Sequence, residues 1–265
     1  MKIVLTGAAG GIGGQLARRL AGTHEVIAVD RDSEALDRLP DRIETRPIEL
    51  TDEQAVREEL SDSRIEALVS AVGWYELAAL EDCPPASFEK HLATNLAAVH
   101  TPIQAVLPAI RKRAGRIVVV GSIVGSVSLP YHGAYSASKA GLDGYVNCLR
   151  REPEPRGVDV SLIEPGPVRT GLNERAVDSL EEVPGSAYSD QYSHFDSYSP
   201  ASTDIDTAVT RIITALESDR PQARYRVGRR ARWLPRLQAL LPTRLFDRLV
   251  RAGLPGGLLY RLIDR

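Results

Sequence analysis

Apolar residues in this chain come in short runs that alternate with stretches of helical spacing. Residues 2–6 form an apolar run that feeds a glycine-rich turn, Thr6-Gly-Ala-Ala-Gly-Gly-Ile-Gly13. Ile12, Leu16 and Leu20 then recur every four residues, with Arg18 and Arg19 facing out, the spacing of one helix face. Runs at 26–29, 43–48, 67–71, 116–120, 158–163 and 224–227 predict further strands. Helices are predicted over 33–39, stopped by Pro40, and over 52–60, with Asp52 in cap position. Others are predicted over 88–113, interrupted near Pro102, and over 135–151 and 207–217. Strands alternating with helices specify an α/β fold, a doubly wound parallel sheet of about seven strands with helices on both faces. Two segments break the pattern. Residues 171–203 are polar, with Tyr188, Tyr192, Phe195 and Tyr198 scattered through them; a loop this long is expected to be a lid or binding loop. Residues 234–265 are rich in leucine and arginine, with prolines at 235, 242 and 255. The expected division is a nucleotide-binding domain over 1–228 and a basic amphipathic extension over 229–265.

At 43% apolar, the 265 residues can fill one core. No run of eighteen apolar residues exists, so no membrane-spanning helix is expected. The N-terminus shows no basic segment followed by a long apolar one, which points to a cytoplasmic protein. Cys83 and Cys148 make no disulfide framework and have no partners at a metal-ligand spacing, so no metal is expected. The net charge of −2 hides an asymmetry: from Arg220 onward twelve arginines face two acids, Asp247 and Asp264. The tail is near +10 and the body near −12. Such a tail can bind its own body, a partner subunit or an anionic surface.

A glycine turn between a strand and a helix can seat a pyrophosphate. Glycines let the backbone approach the phosphates, and the helix N-terminus offers N–H groups and a positive dipole end. Gly7, Gly11 and Gly13 occupy such a turn, and Asp30 closes the second strand seventeen residues after Gly13. A carboxylate there accepts ribose hydroxyls and repels a 2′-phosphate, which favours NAD(H) over NADP(H). Arg31 follows and could bind a 2′-phosphate if Asp30 turned aside.

Tyr135 and Lys139 are four residues apart and so share a helix face. A tyrosine is a poor base at neutral pH, and a nearby ammonium favours its phenolate. Ser122, thirteen residues before the tyrosine, ends a strand at the edge where open α/β sheets bind ligands. Its hydroxyl can hold a substrate oxygen while Tyr135 moves the proton.

Taken together, the chain resembles the short-chain dehydrogenase/reductase family in its compact, Rossmann-like branch. The resemblance covers roughly residues 2–228. It rests on the glycine turn, Asn95 in Thr94-Asn95-Leu96, Ser122, Tyr135, Lys139, and Pro165-Gly166-Pro167-Val168-Arg169-Thr170. It implies Tyr135 as general acid/base and Lys139 as the group that lowers its pKa and binds the nicotinamide ribose. Ser122 would polarise the substrate oxygen, and Asn95 would hold a relay water. Cofactor contacts are implied for Gly7, Gly11, Ile12 and Gly13 in the turn, and for Asp30, Arg31, Glu49 and Leu50 at the adenosine end. They are implied too for Ala71 and Gly73 after the fourth strand, and for Tyr135, Lys139, Pro165, Val168 and Thr170 around the nicotinamide. A homodimer or homotetramer is also implied. The sequence departs from the pattern at Ser70-Ala71-Val72-Gly73, where the family has Asn-Asn-Ala-Gly, so two amide side chains are missing. Pro153 and Pro155 are expected to end the catalytic helix near Arg151.

The expected activity is an NAD(H)-dependent interconversion of a secondary alcohol and a ketone on a small, lipophilic substrate. Alternatives are a dinucleotide-binding sensor that does not turn over, and a reductase of an activated double bond. His132 and His194 are read as surface or loop residues that could touch substrate. In 243–252, Leu245, Phe246, Leu249 and Val250 fall on one face and Arg244, Arg248 and Arg251 outside it. This helix is expected to pack on the body or a sister subunit, with peripheral membrane contact as the alternative. Nucleic-acid binding is not expected, because leucines rather than stacking aromatics separate the arginines.

Overall fold

The structure is a computed structural model, and it describes residues 1–152, 157–182, 185–195 and 203–257. The chain begins with β1 (Lys2–Thr6), α1 (Gly11–Leu20), β2 (Glu25–Asp30), α2 (Ser33–Leu36) and β3 (Glu44–Pro47). It continues with α3 (Glu53–Glu59), β4 (Ala67–Ser70), α4 (Pro85–Leu92), a π-helical turn (Ala93–Ala97) and α5 (Ala98–Lys112). Next come β5 (Arg116–Val120), α6 (Ile123–Ser126), α7 (Gly133–Arg151) and β6 (Asp159–Pro165). The last part holds α8 (Leu172–Asp178), α9 (Ser189–Tyr192), α10 (Ile205–Glu217), β7 (Arg224–Val227), α11 (Arg229–Leu240) and α12 (Thr243–Ala252).

All seven strands are parallel, in the order β3-β2-β1-β4-β5-β6-β7. Strands covered on both faces read as unbroken apolar runs, which is why 2–6 and 116–120 are so legible. Alternate residues serve opposite layers. Ile3 and Leu5 pack with Leu16 and Leu20 of α1 and Ile212 of α10. Val4 and Leu68 pack with Val56 of α3, Ile103 of α5 and Leu142 of α7. The order reverses direction between β1 and β4, and the carboxyl ends of these strands frame a crevice there.

Several expectations need correction. The long helix breaks at Ala93–Ala97, not at Pro102, which lies inside α5. Asn95 accounts for the shift: its side chain turns out of the wide π turn to hydrogen-bond elsewhere, and such turns often sit at functional positions. Asp52 caps α3 as expected, accepting from the amides of Gln54 and Ala55. The segment 171–203 is not a bare loop, since it contains α8 and α9, with Tyr192 and Phe195 buried. Tyr198, Pro153 and Pro155 lie outside the described residues, and α7 ends at Arg151. No described helix is long and apolar enough to cross a membrane.

Candidate active site

The glycine turn is shaped by contacts that exclude side chains. A Cβ on Gly13 would stand 2.0 Å from the Gly7 carbonyl oxygen. One on Gly7, whose φ is +76°, would stand 2.7 Å from the Ala71 carbonyl. One on Gly11 would meet the Thr170 side chain at 2.9 Å. The turn is therefore a cradle of bare backbone, with Ala71 behind it and Thr170 across it. Gly10 caps α1 without any side-chain hydrogen bond, so the helix's first N–H groups have no side-chain acceptor. This cradle fits a dinucleotide pyrophosphate.

At the adenosine end, one Asp30 oxygen accepts from the Ala9 amide at 3.0 Å and the other from the Asp32 amide at 3.2 Å. The carboxylate is thereby fixed facing the turn. Arg31 does not turn inward; it pairs with Glu49 at 3.5 Å, both side chains exposed. Burial pushes the Glu49 carboxyl up, but hydrogen bonds from Thr51 and the Arg31 charge together hold it below its ordinary value. The Leu50 side chain is buried in the α3–α5 layer.

The chemistry-bearing groups converge on a cavity of about 480 Å³ at the carboxyl edge of the sheet. Ile12, Ala71, Gly73, Ser122, Tyr135, Lys139, Pro165, Val168 and Thr170 line it. Ser122 lies two residues beyond β5 and caps α6, accepting from the Val124 amide at 3.4 Å. A Cβ on Gly125 would meet the Lys139 carbonyl at 2.6 Å, so a glycine there lets α6 lie against α7 and brings Ser122 to Tyr135. Burial pushes the Tyr135 hydroxyl up to about 12, and a hydrogen bond with Ser122 pulls against that shift. Burial pushes Lys139 down to about 8. Its ammonium donates to the Val120 carbonyl at 3.3 Å and stands 5.8 Å from the centre of the Tyr135 ring. Desolvation disfavours both charged forms, and of the two groups expected to act on Tyr135 it is Ser122, not Lys139, that offsets it.

Asn95 is fully buried behind the cavity rather than lining it. Its Oδ1 accepts from the Trp74 amide at 2.6 Å. Its Nδ2 donates to the Trp74 carbonyl at 2.8 Å and to Ser138 Oγ at 2.9 Å. It therefore staples the segment following β4 to α7. A Cβ on Gly73 would lie 3.8 Å from both Asn95 Oδ1 and Lys139 Nζ, so the two groups face each other across that glycine. With Ser70 in place of an asparagine, Thr6 Oγ1 and Ser70 Oγ are paired in register and buried without a hydrogen-bond partner.

Much of the remaining cavity wall was not read from the sequence. His132 is partly buried in the wall, not a surface residue. Its Nδ1 lies 2.7 Å from the Pro130 carbonyl, and burial holds its pKa below the ordinary value. Neutral, it donates from Nδ1 and leaves Nε2 as an acceptor. Tyr75 stacks on His132 at 5.6 Å and lies tilted against Tyr135 at 4.5 Å. The available signal was position: His132 is three residues before Tyr135, and Tyr75 two after Gly73. Leu77, Leu129, Leu172, Val177, Phe195 and Leu234 complete an apolar wall. His194 is absent from this wall and lies beneath Gly256, where a Cβ would approach its ring to 2.3 Å.

A family model for short chain dehydrogenase matches residues 1–181. Human 17-beta-hydroxysteroid dehydrogenase type 1 is 31% identical over 249 residues, covering 84% of this chain and 76% of the relative. The probable short-chain type dehydrogenase/reductase VdlC of Helicobacter pylori is 28% identical over 260 residues, covering 94% and 96%. Among solved structures, an oxidoreductase of the short chain dehydrogenase/reductase family from Burkholderia thailandensis has a TM-score of 0.73 at 31% identity, covering 90% of this chain and 95% of the other. A short chain dehydrogenase from Burkholderia cenocepacia, solved with NADP, has a TM-score of 0.79 at 24% identity, covering 94% and 96%, and shows the fold alone. With the cradle, the Ser122–Tyr135–Lys139 group and these matches in agreement, the chain belongs to the short-chain dehydrogenase/reductase family of oxidoreductases.

Proposed function

We propose that the protein is an NAD(H)-dependent oxidoreductase that interconverts a secondary alcohol and a ketone on a lipophilic substrate. One observation carries this reading. Ser122, Tyr135 and Lys139 meet at one polar end of a cavity whose remaining wall is mainly aromatic and aliphatic.

A bound nicotinamide supplies the hydride acceptor for oxidation and the donor for reduction. Gly7, Gly11 and Gly13 would hold its pyrophosphate, Asp30 its adenosine ribose, and Val168 and Thr170 its carboxamide end. Tyr135 Oη gives a proton to the carbonyl oxygen in reduction and takes one from the hydroxyl in oxidation. With a pKa pushed to about 12, the phenol carries its proton at neutral pH. Ser122 Oγ donates to the same substrate oxygen and orients it. Lys139, held near 8, keeps a positive charge at neutral pH that favours the phenolate needed for oxidation. Asn95 holds the segment carrying Tyr75 against α7 and so sets the distance between the cavity's two walls.

The preference for NAD rests on Asp30, whose carboxylate the Ala9 and Asp32 amides hold facing the glycine turn, where an adenosine ribose would lie. A 2′-phosphate there would meet a negative charge, and Arg31 is engaged by Glu49. The lipophilic substrate is supported by the apolar wall, and by relatives named as steroid dehydrogenases in human and rat. The test is NADH formation from NAD over a panel of secondary alcohols, steroids and retinoids included, with Tyr135→Phe alongside. Turnover by the wild type and none by a variant that still binds NADH is the expected result. A wild type that binds NADH but oxidises none of the panel would overturn the reading.

A further inference from the structure

Five of the seven large hydrophobic residues exposed among the described residues fall in α11 and α12. Trp233 is 64% exposed and Leu240 81%. Trp233, Leu237 and Leu240 follow one another at intervals of four and three residues, and Leu245 and Leu249 at four, so each set forms a stripe on one face of its helix. Apolar positions beside these stripes are anchored. Ala231 and Phe246 are buried in the apolar cluster that includes Phe195 and Tyr192, with Leu234 and Val250 packed against it. The helices are therefore held to the body and present leucine and tryptophan to the outside.

The same two helices carry seven arginines and one acid, Asp247. Among the described residues none of these arginines forms an ion pair with the body. The described acids of the body therefore leave the arginines of α11 and α12 without a salt bridge. Arg236 lies 5.4 Å over the Trp233 ring, three residues along the helix, and Arg248 likewise follows Leu245 by three residues. The guanidinium groups thus flank the apolar stripes instead of opposing them. Apolar side chains can enter a hydrocarbon boundary while long basic ones keep their charges at headgroup level.

We propose that α11 and α12 form a docking face for a lipid bilayer carrying anionic headgroups. Charge complementarity selects this occupant: a dense, unpaired basic face with an exposed tryptophan matches the interface of an anionic bilayer. Arg230 and Leu234 of α11 also line the cavity, so docking places the cavity's rim beside the lipid. Entry of substrate from the bilayer would rest on the lipophilic-substrate reading above; docking itself does not.

The test is flotation of the full chain with vesicles of phosphatidylcholine alone and of phosphatidylcholine with phosphatidylserine, in the absence of substrate. The expected result is binding to the phosphatidylserine vesicles that falls as salt is added. The Arg236→Gln/Arg248→Gln variant should lose roughly thirtyfold in partition coefficient, about fivefold for each charge near the surface. Tryptophan emission should shift to shorter wavelength on binding, and Trp233→Phe should abolish that shift. All three positions are exposed, and thermal unfolding of each variant checks that it is folded. No binding to anionic vesicles at low salt would overturn the proposal, as would undiminished binding by the folded double variant. Self-association without vesicle binding would assign the face to a second copy. None of these readouts uses turnover, so they fail independently of the proposed reaction.

Discussion

Replacing Lys139 with methionine is expected to stabilise the fold at neutral pH while abolishing turnover. The lysine is 3% exposed, and burial holds it near 8 against an ordinary 10.5. Below pH 8 the folded state must keep a charge that the unfolded state carries more comfortably, at a cost of about 3 kcal/mol. Between about pH 8 and pH 10 the unfolded state binds more protons than the folded state, so this group makes wild-type stability rise with pH. Methionine retains most of the side-chain volume but forfeits the hydrogen bond to the Val120 carbonyl, worth about 1 kcal/mol. The net gain is then about 2 kcal/mol near pH 7, and it shrinks to well under about 1 kcal/mol by pH 9.5. For a chain of this size that corresponds to roughly 4–8 °C in Tm. Thermal and urea unfolding of wild type and variant, without cofactor, at both pH values measures the difference. A variant less stable than wild type at neutral pH, or a gap that widens with pH, would refute the reasoning.

Tyr135→Phe should lower kcat by roughly 10²–10⁴-fold with NADH affinity unchanged, read from single-turnover kinetics and a fluorescence titration. Asp30→Ala should weaken NAD binding by about tenfold and narrow the gap to NADP; unchanged selectivity in paired titrations would remove Asp30 as its source. Gly13→Ala places a Cβ 2.0 Å from the Gly7 carbonyl. It should abolish measurable NADH binding and lower stability by about 1–3 kcal/mol, whereas a variant that binds normally would mean the turn is not the cradle described.

The alternation of strands and helices was legible because both faces of each central strand are buried, so the strands appear as apolar runs of a few residues. The glycine turn and the Tyr135–Lys139 pair were legible for the same local reason. Each is a short segment whose geometry follows from one turn of backbone or one helix face. The break at Asn95 was misplaced because Pro102 is the stronger local signal, while the π turn answers to partners at Trp74 and Ser138. Arg31 could be placed beside Asp30 in sequence, but its engagement by Glu49 depends on how the ends of β2 and β3 come together.

The parallel sheet, the glycine turn between β1 and α1 and the four-residue spacing of Tyr135 and Lys139 followed from the sequence alone, because these depend on backbone periodicity and on neighbours within a few residues. Only the tertiary structure decided that His132 and Tyr75 form a wall with Tyr135, and that burial raises the tyrosine and lowers the lysine. It also decided that the arginines of α11 and α12 are exposed and, among the described residues, form no ion pair with the body. Desolvation and charge pairing depend on what the rest of the chain brings within a few ångströms, and no local pattern carries that information.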